Sequence, residues 1–115
     1  MSSPARLKIK LQLLLGEDIA LGPGKAELLD WLQSTGSISG AAKGMGLSYR
    51  RAWSMVDTMN RCFREPLVST AHGGAKGGGA ALTEAGRAVL AEYRALQTLV
   101  AKAADPSILK RLADE

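Results

Sequence analysis

A glycine-rich stretch with a single lysine, HGGAKGGG at residues 72–79, is the first place in this 115-residue chain that suggests phosphate chemistry. A catalytic phosphate loop requires G-x-x-x-x-G-K-[ST], but Gly78 is followed here by Gly79 and Ala80. No G-x-G-x-x-G pattern fits these positions either, which excludes a dinucleotide fingerprint. The stretch is therefore either the tip of a larger element or a loose linker.

Basic residues are concentrated in the middle third of the chain. From Lys43 to Lys76 there are six lysines and arginines and two acidic residues, so the whole net charge of +4 falls in this segment. A local cationic surface attracts polyanions, and nucleic acid is the first candidate. Scattered surface arginines are the alternative interpretation.

Few side chains are suited to catalysis or metal binding. Cys62 is the only cysteine and His72 the only histidine, which excludes an internal disulfide, a Cys/His zinc set and a nucleophile–base–orienter set. We therefore expect no enzyme, no catalytic residue, no metal ion and no cofactor. The apolar runs are also shorter than the about 18–20 residues of a membrane span, and MSSPARLKIK does not resemble a signal peptide, which predicts a cytoplasmic protein.

The segment SISGAAKGMGLSYRRAWSMV, residues 37–56, has the pattern of a helix-turn-helix. The small Ala41 and Ala42 stand where the two helices approach each other, and Gly46 stands in the turn, where a positive φ favours glycine. Ser37 and Ser48 are placed to cap the two helices. An ordinary helical hairpin with small contact residues is the alternative.

The second helix of this pattern, about Tyr49 to Cys62, would present its N-terminal half to the major groove of DNA. Arg50 or Arg51 would pair with guanine, and Ser48 and Lys43 would contact phosphates. Two environments remain open for the one tryptophan of this helix, which either contacts a thymine methyl group or sugar or folds back onto the core. Asp57 would orient an arginine. Met55, Met59 and Cys62 share a face of the helix, which we interpret as core rather than as a soft-metal site.

The remaining elements position this helix. LVSTA and AAL flank the glycine stretch and predict a β-hairpin wing at about 67–82, whose glycines and Lys76 would come close to phosphates. Strict alternation from Leu7 to Leu15 predicts a half-buried strand, and Lys25 to Ser34 predicts a first helix with Trp31 in or beside the core. A long helix at about 83–104, capped by Thr83, has an apolar stripe. Leu90 and Leu99 make this stripe wider than one packing partner covers, which predicts a homodimer.

Two motifs together resemble a known family. GSISGAAKGMGLSYRRAWSMVDTMN and GGAKGGGAALTEAG resemble the N-terminal DNA-binding domain of the ModE family of molybdate-responsive transcriptional regulators, and more distantly the LysR-type winged helix. The likeness runs from roughly Leu7 to Leu99. It implies a winged-helix dimer whose interface includes the N-terminal strand and the first and last long helices. It also implies DNA contacts from Ser48, Tyr49, Arg50, Ser54 and the wing around Lys76.

One departure from the family concerns the effector. Full-length ModE regulators carry C-terminal oxyanion-binding modules, whereas this sequence ends at Glu115, so no molybdate site is carried over. The expected alternatives are a single-domain member that binds DNA without an effector, a sensor within the DNA-binding dimer, a separate effector-sensing partner chain, and a truncated protein.

We therefore predict an α+β, mainly helical domain over residues 1–115, a winged helix-turn-helix with an N-terminal strand, a β-hairpin wing and a long C-terminal dimerisation helix. Its helix-turn-helix occupies about 37–62. Its function would be that of a sequence-specific, dimeric regulator of transcription on double-stranded DNA, linked to molybdenum or metal gene control. A nonspecific or architectural DNA-binding protein and a winged-helix protein-interaction module are the alternatives. The residues expected to contact DNA are Lys43, Ser48, Tyr49, Arg50, Arg51, Trp53, Ser54, His72 and Lys76.

Overall fold

The computed structural model describes residues 4–71 and 79–113. Within them, four α-helices and two small antiparallel sheets confirm an α+β, mainly helical fold. None of the described helices is long and apolar enough to span a membrane. The elements in chain order are β1 (Leu13–Leu15), β2 (Asp18–Leu21), α1 (Pro23–Thr35), α2 (Ile38–Met45), α3 (Tyr49–Cys62), β3 (Val68–Thr70), β4 (Ala80–Leu82), α4 (Glu84–Ala103) and a 3₁₀ turn (Ser107–Arg111).

The N-terminal strand is shorter than its alternating pattern predicts. Only β1 pairs with β2, in a tight hairpin with Leu15 opposite Asp18, and the segment from Leu7 to Gln12 has no strand assignment. The expected half-buried strand over residues 7–15 is therefore wrong in its extent, and all three β1 leucines are exposed. Alternation of apolar and polar residues indicates which face of an extended segment is apolar. A strand also requires a neighbouring backbone with which it forms hydrogen bonds.

The local predictions for α2 and α3 are confirmed. Ser37 accepts a hydrogen bond from the Gly40 amide at 2.9 Å, and Ser48 accepts one from the Arg51 amide at 3.0 Å. Gly46 ends α2 with φ of 70°, the left-handed conformation that glycine adopts at little cost. Ala41, Ala42 and Ala52 are buried, so the two helices pack closely through small side chains.

The core forms where α1, α3 and the two hairpins meet. Its largest fully buried side chains are Leu21, Leu28, Leu29, Leu32, Met59 and Leu67. Met59 is in the core, Met55 packs against it, and Cys62 is half-buried, which supports the apolar interpretation of that face. Trp31 also packs against the core, and an added Cβ on Gly44 would come within 2.5 Å of its ring.

The β3–β4 hairpin joins α3 to α4 at the position predicted for the wing. Val68 pairs with Leu82 and Thr70 with Ala80, and the Ala80 amide donates to the Gly36 carbonyl at 2.8 Å. That bond attaches the hairpin to the junction between α1 and α2. The predicted tip, which includes His72 and Lys76, lies outside the described residues.

The long helix α4 begins as predicted, with the Thr83 hydroxyl accepting from the Gly86 amide at 2.9 Å. Leu90, predicted to belong to an unsatisfied excess of apolar surface, is instead buried in the core with Tyr93. Burial raises the pKa of the Tyr93 phenol, which donates to the Leu11 carbonyl at 2.8 Å and fastens the N-terminal segment to α4. Leu99, by contrast, is 64% exposed.

Candidate nucleic-acid interface

The exposed face of α3 carries the basic and polar side chains of the predicted site. Ala52, Val56 and Met59 fill the buried face, and Arg50 and Ser54 lie on the opposite side of the helix. Seven of the nine residues predicted to contact DNA are described, and all seven are exposed: Lys43, Ser48, Tyr49, Arg50, Arg51, Trp53 and Ser54. All seven side chains are therefore accessible to a partner, and Tyr49, Arg50 and Trp53 line one shallow recess.

Two aromatic side chains stand on the flank of α3 nearest the hairpin. Trp53 is 49% exposed and Tyr49 is 56% exposed, so Trp53 does not fold back into the core. Both rings border a groove that separates α3 from the start of α2 and from the hairpin. The groove is also lined by Ser37, Ile38, Ser39, Thr70, Ala71, Gly79 and Ala80.

The acidic residue of this face is already paired. Asp57 accepts a hydrogen bond from Arg61 Nε at 3.0 Å, and this bond raises the pKa of the guanidinium. Arg61 also approaches Asp18 of the first hairpin at 3.7 Å. The prediction that Asp57 orients an arginine is confirmed. Among the described residues, Arg50 and Arg51 form no salt bridge, so their charges face outward.

A further lysine, which the sequence pattern did not single out, lies close to this surface. Lys25 stands in the first turn of α1, and partial burial lowers the pKa of its ammonium group, an effect that Cys62 opposes and Arg51 reinforces. Lys25 thus lies within electrostatic range of α3, where Cys62 at the end of the helix has a larger effect than Arg51 near its beginning. The sequence signal that could have identified Lys25 is its position in the first turn of α1, because the positive end of a helix disfavours a cation.

Asn60 is the other residue that sequence reasoning missed. Its side-chain oxygen accepts from the amides of Leu67 at 2.9 Å and Val68 at 3.1 Å, and its amide donates to the Val68 carbonyl at 3.0 Å. One side chain on α3 therefore fixes the start of the hairpin. Asparagine can do this because it carries an acceptor and two donors on one short side chain.

Replacing Asn60 with Ala is expected to lower the free energy of unfolding by about 2–3 kcal/mol, because two backbone amides lose their acceptor in a partly buried site. Asn60→Asp keeps that acceptor but loses the donor to Val68, so its loss should be smaller. Urea unfolding followed by circular dichroism measures both. A change below about 0.5 kcal/mol for Asn60→Ala, the range of ordinary surface substitutions, would show that the hairpin is held by other contacts.

The described residues contain no group of three His, Cys, Asp or Glu side chains that could hold a metal ion. Their chemistry is that of cations, hydroxyls and aromatic rings on an exposed helix. Such a surface can bind an anionic partner and discriminate among its exposed edges. His72 and Lys76 lie outside the described residues, so their predicted contacts stay predictions.

Comparison with known proteins gives related sequences. No family model matches the chain. It is 47% identical over 78 residues to the molybdenum transport protein ModE of Azotobacter vinelandii, covering 68% of this chain and 29% of that protein. It is 42% identical over 105 residues to the transcriptional regulator ModE of Yersinia pestis, covering 91% and 38%. It is also 43% identical over 83 residues to the molybdenum-pterin-binding protein MopA of Rhodobacter capsulatus, covering 72% and 31%.

The chain thus spans about a third of the length of these curated relatives. The matched regions nevertheless extend over most of the chain, at identities well above those of chance similarity. The chain belongs to the ModE family.

Proposed function

We propose that the chain forms one winged helix-turn-helix domain that binds double-stranded DNA sequence-specifically and regulates transcription. In this proposal α2 and α3 are the helix-turn-helix and β3–β4 is the wing. The observation that carries it is the exposed N-terminal half of α3, where two outward-facing arginines and two aromatic rings stand on a helix capped by Ser48.

The charge distribution favours a polyanion. Arg50 lies opposite the buried face of α3 and would reach a base edge, whereas Lys43 in the last turn of α2 would contact the phosphate backbone. The hydroxyls of Ser37 and Ser39 line the groove beside α3 and would contact phosphate on its other side. The predicted contacts of His72 and Lys76 would extend this surface along the backbone.

Regulation of molybdenum-linked genes is the biological role that the relatives favour. The three relatives described above carry molybdenum or transcriptional regulation in their names. We propose that this chain acts in the cytoplasm by occupying a promoter. Its effector would be sensed within the DNA-binding dimer or by a separate partner chain.

Dimerisation is proposed from apolar surface that one copy leaves uncovered. The described residues 4–19 and 94–113 include none that is buried. The Cα radius of gyration is 17.3 Å, compared with about 13 Å for a compact chain of about this length. Exposed large hydrophobic side chains are concentrated in these projecting ends: Leu7, Ile9, Leu13, Leu14, Leu15, Ile19, Leu96, Leu99, Ile108 and Leu112.

A second copy of the chain is the occupant that fits this surface. Leu7, Ile9 and Leu11 form an apolar groove with Val100 and Ala104 at the end of α4. A second groove lies nearer the start of the same helix and is lined by Leu13, Phe63, Val89, Tyr93 and Leu96 among others. A two-fold dimer would bury both and present two α3 helices to successive major grooves, about 34–36 Å apart.

The experiment that tests sequence-specific DNA binding compares one arginine variant with one lysine variant. Genomic DNA fragments that bind the purified protein at about physiological salt are recovered and sequenced, with and without molybdate. On the enriched site, Arg50→Ala is expected to weaken binding about 10- to 100-fold, the value of one bidentate base contact, with a smaller loss on random DNA. Lys43→Ala should weaken both equally and reduce the salt dependence by about one phosphate contact.

The alternatives have distinct outcomes in this experiment. Even recovery of fragments across the genome would indicate a nonspecific or architectural DNA-binding protein. Equal losses on specific and random DNA for Arg50→Ala would remove it as a base-reading residue. Absence of DNA binding would leave a protein-interaction module.

A further inference from the structure

The aromatic pair on α3 forms a recess that the packing of the chain does not require. Tyr49 and Trp53 are four residues apart, so their rings are neighbours on one flank of the helix. Together with Arg50 they line a shallow recess of about 260 Å³ on the exposed surface. Two half-exposed rings leave much apolar surface in water, and covering it would favour binding of a partner.

The walls of this recess are apolar and its rim is cationic. The rings supply apolar contact surface, and the Arg50 guanidinium supplies donors in a planar fork. Among the edges that B-DNA presents in the major groove, the only apolar group is the C5-methyl of thymine, and guanine presents the pair of acceptors that suits arginine. An aromatic recess beside an arginine therefore matches a methylated pyrimidine next to a guanine.

We propose that the recess formed by Tyr49, Arg50 and Trp53 reads the 5-methyl group of a thymine in the DNA half-site, next to a guanine that pairs with Arg50. This inference rests on the proposed function and deepens it by naming what the aromatic flank of α3 recognises. The chemistry is that of a pyrimidine 5-methyl group, which 5-methylcytosine also presents in the major groove.

The position of the recess supports this assignment. It lies in the first turns of α3, the part of such a helix that reaches base edges, and next to the groove lined by Ser37, Ser39 and Thr70. Contacts between that groove and the DNA phosphate backbone would hold the duplex against α3 while the two aromatic rings contact the base edges. Removing Trp53 should leave the fold intact, because Ala52, Val56 and Met59 supply the buried contacts of the helix.

The test is a deoxyuracil scan of the enriched site. Each thymine is replaced in turn by deoxyuracil, which removes only the methyl group, and affinity is measured for the wild type, Trp53→Ala and Tyr49→Phe. For the wild type, one replacement per half-site is expected to weaken binding about 4- to 15-fold, the worth of one or two buried methyl groups. Trp53→Ala should bind the thymine site more weakly and lose the preference for thymine over deoxyuracil. Tyr49→Phe, which keeps both rings, should retain the preference.

A second arm separates the two sources of the methyl group. The sensitive T·A pair is replaced by C·G, with cytosine or 5-methylcytosine. A gain in wild-type affinity on methylation, absent in Trp53→Ala, would show that the recess reads the methyl group on either base. No gain, together with the loss on deoxyuracil, would support a recess restricted to thymine.

Two results would overturn the inference and leave the proposed function standing. One is sequence-specific binding that no deoxyuracil replacement weakens. The other is a preference for thymine that survives unchanged in Trp53→Ala. Failure of the proposed function is visible earlier, because the wild type would then enrich no site from genomic DNA.

Discussion

Gly86→Ala is expected to lower the free energy of unfolding of this protein strongly. A Cβ on Gly86 would lie 2.1 Å from the carbonyl oxygen of Leu67 and 3.0 Å from its carbonyl carbon. Both obstructing atoms belong to the backbone, and the Thr83 amide holds that same carbonyl at 2.9 Å, so no side-chain rotation relieves the clash. The start of α4 would have to separate from the hairpin, at a cost of about 3 kcal/mol or more.

The measurement is the free energy of unfolding in urea, with Gly24→Ala as the matched control. Gly24 is also a helical glycine, but an added Cβ there would meet only Met55 Cε, at 3.9 Å, an ordinary contact. The control should therefore stay within about 0.5 kcal/mol of the wild type, or exceed it through the higher helix propensity of alanine. If the free energy of unfolding of Gly86→Ala lies within about 1 kcal/mol of the wild-type value, α4 does not approach the Leu67 backbone as closely as the structure shows.

The contrast between Gly46 and Gly86 shows which parts of the fold the sequence could predict. Helix caps, the turn at Gly46 and the bounds of α3 depend on residues a few positions apart, and reading Ser37, Gly46 and Ser48 was enough to locate them. Gly86 gives no such signal, because its requirement for a missing side chain comes from Leu67, nineteen residues earlier and just before β3.

The same limit explains the two main differences from expectation. Asn60 gives no local signal because its partners are backbone groups of the next element, and polar residues are common on exposed helices. The alternating segment before β1 indicates an apolar face but not what covers it, and in one copy of the chain Leu7 and Ile9 remain exposed.

The candidate interface was predictable where it depends on helical spacing and not where it depends on packing. Spacing alone placed Arg50 and Ser54 on a face opposite Ala52, as observed. It left the environment of Trp53 open, because an aromatic residue at the edge of an apolar stripe packs inward or outward according to the volume available in the core. In the structure the buried core is made of other side chains, among them Leu28, Leu29 and Met59, and Trp53 faces outward.

Leu99→Asp is expected to convert the proposed dimer into a monomer and to weaken binding to an inverted-repeat site about 100- to 1,000-fold. Leu99 is 64% exposed on α4, so an aspartate there should not unfold a single copy, but it would place an unpaired charge in an apolar interface. Loss of the dimer makes the second half-site contact an independent event, which removes the advantage of effective concentration. Sedimentation measures the oligomeric state, and gel-shift titration measures the affinity.

Thr98→Asp and a single half-site supply the controls. Thr98 is exposed beside Leu99 but points to the polar side of α4, where its hydroxyl donates to the Arg94 carbonyl, so the same charge change there should leave the dimer intact. On an isolated half-site, wild type and Leu99→Asp should bind alike, because each uses one α3. A Leu99→Asp protein that stays dimeric would move the interface to another face. One that becomes monomeric yet binds the full repeat as tightly as the wild type would show that each copy reads its half-site alone, and that the uncovered apolar surface serves assembly rather than DNA affinity.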